Sequence, residues 1–152
     1  MQPRKVNPLV IAIAIVLGGM AIEHYASTIG VTIGGLWPFS PPPIAADGFR
    51  VLIVEEAQDR SKLPPSQLAI FTSKEVTDYL DSKCVKVNGT PEYRIYDKDT
   101  SFTNESDIWK NAMRLERKSL PWIIVSNGRS GYSGPLPATA SETLDLLRKY
   151  GG

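Results

Sequence analysis

Residues 119–128 constrain the fold of this chain more strongly than any other stretch. Pro121 precedes the run Trp-Ile-Ile-Val at positions 122–125, which is apolar and β-favouring, as is typical of a strand covered on both faces. A proline at the first position of a strand removes no ladder hydrogen bond. Asn127 and Gly128 then predict a tight turn. The stretch therefore predicts a buried strand that turns back into a neighbouring strand.

The composition excludes several classes of function. The chain has 152 residues, enough for one domain and an appendage. Its formal net charge is +1, and its lysine and arginine residues form no basic stripe. The charge pattern therefore predicts no nucleic-acid binding. One cysteine and one histidine cannot form an intramolecular disulfide or a Cys/His metal centre. A Ser-His-Asp triad would have to use His24, which ends an apolar segment. We therefore predict no triad, no metal and no cofactor.

The N-terminal part of the chain holds a long apolar run. Arg4 and Lys5 lie in a polar start, whereas residues 8–22 carry no charged side chain and have no polar face, which excludes an ordinary surface helix. A proline-rich spacer follows at residues 40–43. We therefore divide the chain into four parts, which are a polar N-terminus (1–7), an apolar helix (8–24), a Gly/Pro-rich interfacial segment and linker (25–47), and a globular domain (48–150).

Three alternatives fit the apolar helix. As a membrane helix, the segment 8–24 has an uncharged run, residues 8–22, that is short against the ~20 residues usually needed. Arg4 and Lys5 would hold the N-terminus in the cytoplasm with the domain outside. As a signal peptide, the segment would be cleaved near Ala21 and would leave a secreted or periplasmic domain. As a buried helix, it would pack inside an oligomeric assembly. The sequence favours the single-pass membrane protein.

The rest of the chain predicts alternating strands and helices. Apolar patterns and capping residues place the elements as follows: a strand at 49–54, a helix opened by the capping box Thr72-x-x-Glu75, a strand around 93–96, a helix capped by Asn104, a strand at 122–125, a glycine-broken strand or loop around 131–137, and a helix capped by Thr139 or Ser141. This order predicts a right-handed βαβ unit followed by an antiparallel hairpin, and hence an α/β fold.

That order of elements, with Leu120 and Pro121 opening the third strand, resembles the thioredoxin-like fold over about residues 48–150. The resemblance implies a three-layer sandwich, with a mixed four-stranded sheet between flanking helices, and a cis proline beside the functional surface. Members of the family carry Cys-x-x-Cys just after the first strand. The matching positions here, residues 56–62, hold no cysteine. Because dithiol–disulfide exchange needs two thiols, the resemblance implies a redox-inactive member.

The resemblance also implies a binding surface. In an active thioredoxin the proline lies beside the reactive thiols, and here it would face a polar loop instead. The expected surface is formed by Leu120, Pro121, Glu56, Asp59, Arg60 and Ser61. Independently of the resemblance, the carboxylates of Glu55, Glu56 and Asp59 follow the end of a strand, where open α/β sheets bind ligands. They could serve a metal ion or acid–base chemistry, and the alternative is a solvated loop.

Cys84 is the one thiol that could be reactive. Lys83 and Lys86 flank it, and nearby cations lower a thiol's pKa. Its predicted position near the C-terminal end of a helix acts in the opposite direction. The sequence therefore favours a structural cysteine over a catalytic one.

The expected function is that of a membrane-tethered, redox-inactive domain that binds other proteins. It would serve as a binding or structural subunit of a membrane, envelope or virion assembly, with protein partners that the sequence does not identify. One alternative is a single-cysteine, thiol-dependent enzyme or redox protein that uses Cys84. The other is a secreted binding domain released by cleavage near Ala21.

Overall fold

The computed structural model describes residues 41–152. The predicted polar N-terminus, the predicted membrane helix at 8–24 and most of the predicted linker lie outside the described residues. In the part that is described, no helix combines the length and the apolar character needed to span a bilayer. The elements are β1 (Arg50–Glu55), a 3₁₀ segment (Ala57–Lys62), α1 (Pro65–Leu68), a second 3₁₀ segment (Ala69–Thr72), α2 (Lys74–Lys83), β2 (Lys86–Val87), β3 (Thr90–Pro91), β4 (Tyr93–Asp97), α3 (Asp107–Met113), β5 (Trp122–Ser126), β6 (Gly131–Pro135) and α4 (Ala140–Gly151).

The main sheet has four strands in the order β4-β1-β5-β6. Strand β1 is parallel to β4, with Glu55 opposite Asp97, and antiparallel to β5, with Arg50 opposite Ser126. Strands β5 and β6 form the predicted antiparallel hairpin. The α/β class and the mixed four-stranded sheet are therefore confirmed. The small β2–β3 hairpin was not predicted as strands.

Helices cover both faces of the central strands. Alternate side chains of β1 and β5 point to opposite faces, because strand side chains repeat with period two. Val51, Ile53, Ile123 and Val125 pack with α2 and α4 in one cluster. The second cluster joins Leu52, Val54, Trp122 and Ile124 to Ile44 and to Trp109, Ala112 and Met113 of α3. The continuous apolar run at 122–125 is thus buried on both faces, as predicted.

Two of the predicted helix starts are wrong by one or two residues. Helix α2 is capped by Ser73, whose Oγ accepts from Val76 N at 3.3 Å, and not by Thr72, which still belongs to the second 3₁₀ segment. Helix α3 is preceded by Ser106, whose backbone is extended, and not by Asn104. The third prediction is confirmed, because Thr139 Oγ1 accepts from Glu142 N at 3.2 Å at the start of α4.

Residues at the end of the predicted linker pack into the core of the domain. Ile44 is 1% exposed, and its carbonyl oxygen accepts from the buried Ser126 Oγ at 2.9 Å. Gly131 allows this segment to approach the sheet, because a Cβ there would lie 2.5 Å from Pro43 Cδ and 2.2 Å from the Val125 carbonyl oxygen. The folded region therefore includes residues before position 48.

Candidate functional site

A groove lies at one edge of the sheet, where β1 and β4 end and β5 begins. The Leu120-Pro121 peptide bond is cis. Pro121 O accepts from Leu136 N at 3.0 Å, so the start of β5 is held beside the end of β6. The groove has a volume of about 470 Å³, and we call it the first groove. It is lined by Glu55, Glu56, Asp59, Leu63, Lys98, Arg117, Lys118, Ser119, Leu120 and Pro121.

The structure brings together four of the six predicted surface residues. Leu120, Pro121, Glu56 and Asp59 line the first groove, and Arg60 and Ser61 do not. Their absence from the lining follows from the 3₁₀ segment, which replaces the predicted open loop and turns successive side chains in different directions.

Arg60 binds a buried carboxylate at the groove instead of a ligand. Its Nε lies 2.9 Å from Glu55 Oε2, and its Nη2 contacts the second carboxylate oxygen. The Glu55 side chain is only 4% exposed, so the ion pair compensates a charge that burial would otherwise penalise. The hydrogen bond with Glu55 raises the pKa of Arg60. The guanidinium also lies 5.0 Å from the centre of the Phe71 ring.

Three carboxylates meet beside the groove. One carboxylate oxygen from each of Glu56, Asp97 and Asp99 lies within 4.8 Å of the other two. Lys98 Nζ already contacts two of these residues, Glu56 at 3.0 Å and Asp99 at 2.7 Å. Asp97 accepts from the backbone N–H groups of Ala57 and Asp99, which lowers its pKa. The cluster therefore has partners from the protein itself. Asp97 and Asp99 were not predicted as site residues.

Three basic side chains also line the first groove, and sequence reasoning missed them. They are Lys98, Arg117 and Lys118. Arg117 Nη1 donates to Met113 O at 2.7 Å and to Leu115 O at 3.1 Å, which holds the side chain against the end of α3. The sequence signal is the cluster of basic residues after α3, formed by Arg114, Arg117 and Lys118.

A second groove adjoins the first and shares Lys98 and Arg117 with it. Its volume is about 490 Å³. Four basic side chains face it but only one acidic side chain, and hydroxyl and apolar groups complete the wall. The lining residues are Lys98, Asp99, Thr100, Phe102, Thr103, Lys110, Met113, Arg114 and Arg117.

Cys84 lies away from both grooves. It caps the C-terminal end of α2 and is 4% exposed within the first core cluster. Burial raises the pKa of its thiol to about 12, and the negative charges of Asp81 and Glu92 act in the same direction. At neutral pH the thiol is protonated, whereas the thiolate is the nucleophilic form. This geometry favours the structural interpretation of Cys84.

Comparison of the chain with protein-family models, with curated proteins and with solved structures finds no match in any of the three. The grooves and their side chains are therefore the basis on which a function is proposed.

Proposed function

We propose that this chain is a membrane-tethered, redox-inactive thioredoxin-like protein that binds other proteins as a subunit of a membrane, envelope or virion assembly. The observation that carries the proposal is the first groove, where a cis proline borders an open surface. None of the ten lining side chains supplies a thiol. The resemblance to the thioredoxin-like fold implies a functional surface beside this proline, and disulfide exchange would need thiols there.

The charges in the first groove support binding and not catalysis. Each of its carboxylates has a cationic partner among the described residues: Glu55 pairs with Arg60, Glu56 with Lys98 and Asp59 with Lys62. A general base must contact the proton that it removes, whereas these carboxylates contact cations of the protein itself. The apolar surface of Leu120 and Pro121 beside these pairs suits contact with another protein.

The first experiment tests partner binding at the groove. A photoreactive amino acid at Ser119, which is exposed and lines the groove, should give a discrete cross-linked adduct with a second protein in cells. The control position is Asn88, which is exposed in the β2–β3 turn. Adducts that are absent, or the same at both positions, would contradict the proposal.

The second experiment tests the tether. The proposal expects the intact chain to stay with the membrane fraction in high salt and in alkaline carbonate, and to leave it only in detergent. Release by salt alone would contradict a membrane anchor. A native N-terminus near Ala21, determined by mass spectrometry, would support the secreted alternative.

A further inference from the structure

We propose that the second groove binds an acidic segment of the protein partner. The inference rests on the proposed function in assuming a protein partner, and it adds the chemistry by which that partner is recognised. The segment would place carboxylates among Lys110, Arg114 and Arg117, and continue into the first groove towards Leu120 and Pro121.

The basic side chains of the second groove lack strong partners inside the protein. Among residues 41–152, neither Arg114 nor Arg117 forms an ion pair. Lys110 pairs with Asp107 at 3.5 Å, but the Asp107 side chain is 91% exposed, so this pair contributes little. Lys98 is the exception, because Glu56 and Asp99 both contact it. Three positive charges therefore remain for a ligand, and an anionic group would complement them.

Arg117 is already positioned for such a ligand. Its Nη1 is used by the carbonyl oxygens of Met113 and Leu115, which leaves Nε–H and Nη2–H, the pair of donors that suits a carboxylate. Because the side chain is half-buried and fixed before binding, little side-chain entropy is lost when a ligand arrives.

The combined size and the lining of the two grooves favour a peptide over a small anion. The grooves hold about 470 and 490 Å³ and share two lining residues, so a bound segment can contact both. Phe102 and Met113 add apolar surface, and Thr100 and Thr103 add hydroxyl groups. An extended segment can use all of these contacts, whereas an inorganic anion would use only the charges.

The test compares two fluorescein-labelled octapeptides, one alternating glutamate with leucine and one with glutamine at each glutamate position. Both are titrated by fluorescence anisotropy against the intact chain in an uncharged detergent. We expect the glutamate peptide to bind about tenfold more tightly at low salt, and the difference to shrink as salt screens the charges. The variant Lys110→Gln/Arg114→Gln should reduce the preference to less than about threefold, because only Arg117 of the three available charges remains. The matched control Lys83→Gln/Arg129→Gln removes two positive charges outside the groove and should keep it.

Equal affinity for the two peptides, or an equal loss in the control variant, would overturn the inference. Inorganic tripolyphosphate is added as a competitor, and displacement at concentrations below that of the peptide would assign the groove to phosphates instead. A partner cross-linked at Ser119 together with no glutamate preference would refute this inference alone. A glutamate preference without any cross-linked partner would refute the proposed function alone.

Discussion

The Cys84 thiol is enclosed by apolar side chains of β1, α2 and α4, and its burial has a consequence for alkaline stability. Its pKa is about 12 in the folded protein against an ordinary value of 9.0. Above pH 9 the unfolded chain loses this proton while the folded chain keeps it, so the free energy of unfolding falls as pH rises towards 12.

Between these two pKa values the free energy of unfolding falls by up to ~1.4 kcal/mol per pH unit. We therefore expect the wild-type protein to lose about 2 kcal/mol more stability than Cys84→Ala when the pH is raised from about 8.5 to about 10.5. Urea titrations of both proteins at several pH values measure this difference. Tyr96, whose pKa is also about 12 because of burial and Glu105, contributes equally to both. Parallel pH profiles for the two proteins would contradict the burial of the thiol.

The ion pair between Glu55 and Arg60 predicts a second effect of a single residue. Arg60→Ala leaves the buried Glu55 carboxylate without its cation, and we expect a loss of about 1–2 kcal/mol, reduced from the value for a fully buried pair because the Arg60 side chain is 45% exposed. The double variant Glu55→Gln/Arg60→Ala should recover part of the loss. A double-mutant cycle with strictly additive losses would show that the pair is not coupled.

At this scale the sequence could predict only half of the candidate site. Of the ten residues that line the first groove, five follow from where strands start and end, namely Leu120, Pro121, Glu55, Glu56 and Asp59. Lys98 comes to the groove only because β4 pairs with β1 in a register that joins Lys98 N to Glu55 O at 2.8 Å. Periodicity predicts that a strand exists but does not fix its register with a distant strand. Lys98 therefore could not be predicted as part of the site, whereas Arg117 and Lys118 belong to the basic cluster after α3 that the sequence shows.

Single helix caps can be tested at the scale of the element. Ser73→Ala removes the side-chain acceptor for Val76 N, and we expect it to destabilise the fold by about 1 kcal/mol. Thr72→Ala is the matched control, because the Thr72 hydroxyl contacts only Ala69 O at 3.4 Å. It should change the free energy of unfolding by less than about 0.5 kcal/mol. Thermal or urea unfolding of both variants decides between the two caps.

The elements that the sequence predicts well are those with long apolar patterns. Strand β5 is buried at all five positions and α4 carries a regular apolar face, so local pattern and tertiary packing agree. Strands β2 and β3 have two residues each, too few for any periodicity to appear. The helix starts were misplaced because several neighbouring Ser, Thr and Asn residues could each serve as a cap, and tertiary packing selects among them.

Ile44 provides a prediction for the whole molecule. It lies before the predicted start of the domain at residue 48, yet it is only 1% exposed. It belongs to the second core cluster, together with side chains of α3, β1 and β5. We expect Ile44→Ala to destabilise the domain by about 2–4 kcal/mol, because a buried methyl-rich side chain is lost and a cavity remains. Ala45→Gly at the exposed neighbouring position is the control for changes in the backbone. A loss below about 1 kcal/mol would show that the segment is a linker after all.

For the molecule as a whole, the order of elements predicted two of the three strand pairs in the sheet, the parallel pair β1–β4 and the antiparallel pair β5–β6. The family resemblance implied the mixed four-stranded sheet. The place of the β5–β6 hairpin beside β1 depends on pairing between distant strands, which the order of elements does not fix. The boundary of the domain was less predictable, because the proline-rich spacer suggested a linker and the burial of Ile44 depends on contacts distant in sequence. The membrane helix at 8–24 stays a prediction.

The close approach at Gly131 limits how far sequences with this structure can diverge. Any other residue would place a Cβ 2.2 Å from the Val125 carbonyl oxygen, so a relative with an entirely different surface would still need glycine there. Gly128 has a φ of +83°. Ser126 is buried, and its hydroxyl donates a hydrogen bond to the Ile44 carbonyl oxygen. Together with Pro121 these positions form the spacing P-x4-S-x-G-x2-G, by which distant relatives can be recognised after overall similarity has been lost.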